Sequence, residues 1–448
     1  MTSFEPEFIV PRAPEPPTSE PREDVSNGPE PASDAPTDDS RAPATETPAA
    51  VAPSLPPLLL REALPPVVDT PEAYAATCRA IAGGTGPVAI DAERASGYRY
   101  SQRAYLVQLR RAGSGTHLVD PVPFDDLTAL DDAIGDEEWI LHAATQDLPC
   151  LTEAGMRPRA LFDTELAGRL LNLPRVGLAT LVEQFLGHSL AKEHSAADWS
   201  TRPLPEPWLV YAALDVEVLV ELRDLLEAEL EKAGKLGWAR QEFEALLTFT
   251  GPPPKTDRWR RTSGMHRIRG RRNLALVREL WETRDAIAER RDTTPGRVLA
   301  DAAIVEMATV APTDVDQLKG LRTMRGRGAR RHLNEWQRAI DTALAMAEDD
   351  LPRSSVRGEG PPPPRAWAEK HPDAADRLGR CRDVVTTLAE QHDLPAENLI
   401  APGTVRELAW EPPADLSVDA VGALLAEKGA RPWQVEIVAE PLAGALRP

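Results

Sequence analysis

The 448-residue sequence predicts an α/β domain followed by one or two all-helical units and preceded by a disordered acidic tail. Three observations lead there. Short apolar runs bounded by Gly, Pro or Asp occupy residues 87–144 and then give way to a 3.6-residue periodicity from about 162. "GPPPK" at 251–255 interrupts that periodicity, and beyond it only helical patterns recur. Residues 1–57 are rich in Pro, Glu, Asp, Ser and Ala, with 11 acids, 3 arginines and almost no aromatics. Such a tail buries too little apolar surface to offset its ordering entropy.

The elements follow in order. "PVAID" (87–91), "AYLVQLRR" (104–111), "THLVD" (116–120) and "EWILHAA" (138–144) read as strands. "FDTELAGRLLN" (162–172), "LATLVEQFLG" (178–187) and one long run at 206–234 read as helices, giving an α/β domain over 66–235. A basic connector spans 251–272, and four helical patterns between 273 and 347 predict a small bundle. "RSSVRGEGPPPPR" (353–365) is a linker of polyproline character, and a last helical unit covers 366–442. No repeat of 20–50 residues suggests a solenoid.

Charge is unevenly spread. The chain carries a net −20, yet residues 251–347 hold 20 bases against 12 acids. A basic middle in an acidic protein points to a polyanionic partner. Cys78, Cys150 and Cys381 lack CxxC spacing, which argues against a disulfide framework or a zinc site. The first residues lack the pattern of a signal peptide, and runs such as "LPPLLL" are too short to span a bilayer, so a cytoplasmic location without membrane contact is expected. Nothing points to an obligate protein partner.

The chemistry begins at "PVAIDAERASGYRY" (87–100). An apolar run delivers Asp91 and Glu93, which alternation places on one face of the strand. Paired acids on a buried strand repel each other and resist desolvation unless a cation holds them. Further acids lie where helices would aim them back: Asp147 after a strand, and Asp215 four residues after Tyr211 on one helix face. Taken singly, each has a bland explanation as a cap, a turn residue or a solvated face. Together, Asp91, Glu93, Asp147 and Asp215 supply oxygen ligands for two divalent ions, Mg²⁺ or Mn²⁺. Such a pair stabilises the attacking and leaving oxygens of a phosphoryl displacement, and Tyr211 could orient the attacking water.

"IDAE", "HAATQDL" and "YAALD" resemble the three motifs of the DEDDy 3′–5′ exonucleases, and "LFDTELAGRLL", "LATLVEQFLG" and "DWSTRPL" resemble the ribonuclease D family in particular. The resemblance implies a ribonuclease-H-like sheet. By motif, Asp91, Glu93 and Asp215 would bind one metal ion, Asp91 and Asp147 a second (Asp147 directly or through water), and Tyr211 would orient water. Ala92 stands where many relatives have threonine, with no loss of activity expected. His142, Gln146 and Trp199 lie within the motif segments, either lining a nucleotide site or packing beside it.

The basic middle supplies further candidates. "RWRRTSGMHRIRGRR" (258–272) offers Arg258, Trp259, Arg260, Arg261, Arg267, Arg269, Arg271 and Arg272, and "RTMRGRGARRHL" adds Arg325, Arg327 and Arg330. Arginine forks grip phosphates and an aromatic can stack on a base, although the same residues could merely balance the acidic domain. "GRVLADAAIVEMA" and "LKGLRTMRGRGARRHLNEW" resemble an HRDC domain, and "ENLIAPGTVRELAWEPP" with "GARPWQVEIV" resembles a second HRDC-like domain. No GxxxxGK[ST] supports ATP-driven unwinding. The resemblance thus implies a metal-dependent 3′–5′ exoribonuclease that trims tRNA precursors and other small structured RNAs, releasing nucleoside 5′-monophosphates. A DNA exonuclease of the same superfamily and a non-catalytic RNA-binding scaffold are the rival readings.

Overall fold

The computed structural model describes residues 55–191, 194–253, 255–354 and 360–447. The tail expected to be disordered, 1–57, lies outside the described residues except at its end. There Pro56 accepts a hydrogen bond from the Ser189 amide at 2.9 Å.

Six strands form one mixed sheet: β1 (Val67–Val68), β2 (Thr85–Arg94), β3 (Ala104–Ala112), β4 (Gly115–Val119), β5 (Glu138–Leu141) and β6 (Ala160–Asp163), in the order β1-β4-β3-β2-β5-β6. β3 runs antiparallel to β2 and β4, whereas β1–β4, β2–β5 and β5–β6 pair in parallel. The continuous apolar run of β2 fits its place: Val88, Ala89 and Ile90 are fully buried near the middle of the sheet, with both faces covered.

Several elements depart from the pattern of the sequence. Phe162 and Asp163 belong to β6, and the helix expected from 162 begins at Thr164. The long helix expected over 206–234 is broken at Val218 (φ −106°, ψ −10°) into Glu206–Glu217 and Leu219–Lys232. Val218 and Leu219 are both buried there, so packing imposes a break where no Gly or Pro marks one.

The two helical units attach differently. The first, built on helices Arg271–Arg290, Asp301–Val310 and Leu333–Ala345, has its own core around Leu276, Ile304, Met307 and Trp336. The expected connector is part of this unit, because Trp259 is 3% exposed within that core. Its link to the sheet domain is largely polar. Asp292 accepts from the Tyr100 and Ser101 amides (3.1 and 2.9 Å) and from the Tyr105 hydroxyl (3.2 Å), while the Tyr100 hydroxyl donates to Asp285 at 3.0 Å.

The second unit, helices Pro372–Gln391, Pro402–Trp410, Val418–Glu427 and Pro432–Leu446 among others, shares a core with the sheet domain. Phe162, Leu222, Leu226 and Phe243 join Leu378, Trp433 and Leu442 in one apolar cluster. The Trp433 indole donates to buried Glu242 at 3.0 Å, and Lys235 donates to the carbonyls of Leu170 and Asp393 (2.9 and 2.7 Å).

Candidate active site

Alternation along β2 sends Ala92 into the core and leaves Asp91 and Glu93 on the opposite face. The Glu206–Glu217 helix crosses that face and presents Tyr211 and Asp215 one turn apart. Carboxylate oxygens of Asp91, Glu93 and Asp215 lie within 4.8 Å of one another. Asp147 lies outside that triad but lines the same cavity of about 390 Å³, together with His142, Gln146 and Tyr211. The structure therefore brings all five motif residues to one cavity.

The turn that delivers Asp147 is held from a distance. Ala143, just after β5, has φ 59°, a left-handed conformation that a residue with a Cβ adopts at a cost of roughly 1 kcal/mol. Asp163 at the end of β6 accepts hydrogen bonds from the Ala143 and Ala144 amides (3.1 and 2.8 Å). It also caps the next helix through the Glu165 and Leu166 amides at 2.9 and 3.1 Å. One buried carboxylate thus fixes two backbone segments.

Gln108 is a second support. It is fully buried on β3 directly opposite Asp91, and its Nε2 donates to Asp91 Oδ2 at 3.0 Å. A polar residue between Val107 and Leu109, inside the buried apolar stretch of the strand, was the visible sign. Asp163 left only an Asp before Thr-Glu, the mark of a helix cap, with no hint of the turn twenty residues earlier.

Electrostatics make the cluster hungry for cations. Burial pushes Glu93 up to about 10, helped by Asp91, Asp215 and Asp147. Burial, then Asp91, holds Asp147 and Asp215 well above the ordinary carboxylate range. Asp91 is raised by burial and opposed by the Ala92 amide and Arg94. Without a cation these groups hold protons more tightly than ordinary carboxyls. All the donors are oxygens and most are anionic, which fits a hard divalent ion such as Mg²⁺ or Mn²⁺. Burial, reinforced by Asp215, raises the Tyr211 phenol, so it keeps its proton.

The other candidates separate. His142 lines the cavity with Nδ1 2.9 Å from Thr164 Oγ1, and burial lowers it to about 4, so the ring is neutral. Gln146 is exposed at the rim. Trp199 is a packing residue and not a nucleotide contact: it is fully buried against Trp208 and Tyr211, where it buttresses the tyrosine, and does not line the cavity.

Most of the basic candidates serve the helical unit itself. Trp259 is core, with Arg260 over its ring at 4.1 Å, and cannot stack on a base. Arg260 also pairs with Asp257 at 2.9 Å, and Arg258 lies 3.5 Å from Asp285. Arg271 donates to the Leu351 carbonyl, Arg272 to those of Ala343 and Met346, Arg330 to that of Met324, and Arg269 to that of Ile268. Several of these carbonyls lie at helix ends or in turns, where backbone acceptors lack partners. Arg261, Arg267 and Arg325 are exposed and have no partner among the described residues. The side chain of Arg327 lies outside the described residues.

A 3′-5′ exonuclease family model matches residues 65–231, an HRDC domain model residues 273–340, and a 3′ to 5′ exonuclease C-terminal domain model residues 360–446. The last unit, expected to be HRDC-like, thus matches a module named for the exonuclease it accompanies. Ribonuclease D of Gluconacetobacter diazotrophicus is 32% identical over 337 residues, covering 73% of this chain and 82% of that one. A protein from Bifidobacterium adolescentis superposes with a TM-score of 0.81 at 39% identity, over 88% of this chain and 100% of that one. Escherichia coli RNase D, an exoribonuclease involved in structured RNA processing, superposes with a TM-score of 0.63 at 26% identity, over 85% and 98%.

Proposed function

Because this chain belongs to the ribonuclease D family and is a 3′–5′ exoribonuclease, we propose that it trims the 3′ ends of small structured RNAs such as tRNA precursors by two-metal-ion hydrolysis at the Asp91 cavity. The observation that carries this reading is the convergence of Asp91, Glu93, Asp147, Asp215 and Tyr211 on one cavity. The printed role of the Escherichia coli relative in structured RNA processing supports the choice of substrate.

Asp91, Glu93 and Asp215 would hold one divalent ion, and Asp91 with Asp147 the second. When bound, the ions supply an activated water and stabilise charge on the attacking and leaving oxygens. The chain's own residues do the rest. Tyr211, protonated and buttressed by Trp199, orients the water toward phosphorus. Gln108 fixes one Asp91 oxygen, and Asp163 fixes the turn that carries Asp147. Water adds to phosphorus, the bond to the 3′ oxygen of the preceding nucleotide breaks, and the terminal nucleotide leaves with its 5′ phosphate.

The test is to incubate the protein with 3′-extended tRNA and with matched DNA in Mg²⁺, Mn²⁺ or EDTA. Stepwise release of nucleoside 5′-monophosphates from RNA, abolished by EDTA, is expected. Persistent hydrolysis in EDTA would remove the metal mechanism, and preference for DNA would remove the substrate assignment.

A further inference from the structure

Among the described residues lining the carboxylate cavity, Arg94 is the one positively charged side chain, since the His142 ring beside it is neutral. Strict alternation along β2 would place Arg94 with Ala92 on the other face. It does not end there. Pairing steps from Glu93↔Leu106 to Arg94↔Ala104, skipping Tyr105, and this irregularity breaks the alternation at the last residue of the strand. Such bulges re-aim side chains.

The contacts of Arg94 do not look like those of a structural arginine. Its nearest anion among the described residues is Asp147 Oδ1 at 3.9 Å, beyond hydrogen-bond reach, and its side chain is 27% exposed. An arginine that serves to pin a carboxylate in this same domain looks different. Arg202 grips Asp120 with two bonds, at 2.5 and 2.8 Å. Arg94 therefore keeps its donors in hand, at the wall of a cavity that the proposed function fills with a phosphodiester.

We infer that Arg94 is a catalytic residue that grips a non-bridging oxygen of the scissile phosphate. The inference rests on the proposed metal site. With the four carboxylates balanced by divalent ions, the phosphate charge, and the further charge that develops as water adds, meets one protein cation among the described residues. A guanidinium offers two parallel donors to phosphate oxygens, which lysine cannot reproduce.

The experiment uses the full chain and separates two roles by sign. Arg94→Met removes a cation from beside the carboxylates, so Mn²⁺ titrated into the RNA-free protein should bind as tightly as in the wild type or tighter. The same variant should lose kcat/KM on a single-stranded oligoribonucleotide by about 10²-fold, the scale of one lost charge-stabilising donor. Binding of the product nucleoside 5′-monophosphate should weaken in parallel, and Arg94→Lys should recover part of both. Mn²⁺ binding that falls together with turnover would make Arg94 a support for Asp147 and overturn the inference. Unchanged kcat/KM would overturn it too. Wild-type protein that bound no Mn²⁺ would instead sink the metal site on which the inference rests. If Arg94→Met does not fold, Arg94→Gln and Arg94→Lys carry the same comparison.

Discussion

Glu93 rises from 4.5 to about 10 because burial and three neighbouring acids oppose its charge. A carboxyl raised on folding stabilises the fold below its unfolded value and loses that contribution as pH climbs toward its folded value. In metal-free protein the loss runs from pH 4.5 to about 10. Glu93→Gln should therefore raise the metal-free melting temperature at neutral pH by a few degrees, about 2–4 °C for each kcal/mol in a domain of this size. The same change, like Asp215→Asn, should cost about 10³-fold in turnover by removing an anionic ligand. A variant that melted lower and worked normally would contradict both halves. Tyr211→Phe should be milder, about tenfold, because it disturbs positioning alone. His142 has the opposite sign: burial lowers its pKa from 6.5 to about 4, so its contribution is present above 6.5 and lost as pH falls toward 4. His142→Gln should flatten the acid limb of a metal-free melting-temperature profile, and an unchanged slope would show that other groups set that limb.

At the scale of elements, what was legible in the sequence depended on whether a pattern was local. The buried run of β2, the acids that follow it and the Tyr211–Asp215 spacing are each contained within a few residues of sequence, and each could be read directly. β1 has two residues and β6 has four, too few to show a period. The break at Val218 comes from packing against the sheet, which no spacing records. The sequence pattern put Asp163 inside a helix, and only the folded chain makes it the cap of that helix and brings it to the turn before Asp147. Asp163→Ala should cost roughly 1–3 kcal/mol, the scale of buried amides left without an acceptor. It should also lower turnover through Asp147, and thermal melts with steady-state rates would expose a variant that did neither. The helical units differ for the same reason, since nothing local says which one shares the sheet domain's core. Deleting 360–448 should uncover Phe162, Leu222 and Phe243 and yield aggregating protein. Asp292→Ala should leave the fold intact but speed amide exchange at Tyr100 and Ser101. Soluble, cooperatively melting protein after the deletion would contradict the shared core.

At the scale of the whole molecule the question is how an acidic protein holds an acidic polymer. The excess of bases over 251–347 suggested a broad phosphate grip, but the fold occupies much of that charge. Arg260, Arg271, Arg272 and Arg330 are committed to Asp257 or to backbone carbonyls, and Trp259 lies beneath a guanidinium. Replacing any of these arginines should cost the unit stability as well as charge, so it would not isolate an RNA contact. Arg261, Arg267 and Arg325 are different, being exposed and unpaired among the described residues. If they touch phosphates, each contact releases counterions, and log affinity falls with log salt by roughly 0.7 per contact for a single strand to 0.9 for a duplex. Changing all three to alanine should therefore flatten the salt dependence of structured-RNA binding by about 2 to 3 in slope. The melting temperature should stay put, because no intramolecular bond is lost. Cleavage of short single strands should also persist, since the Asp91 cavity lies in the sheet domain and none of the three lines it. Binding titrations of wild type and triple variant across a salt series decide the matter, and equal slopes would mean that these three arginines only balance the acidic domain.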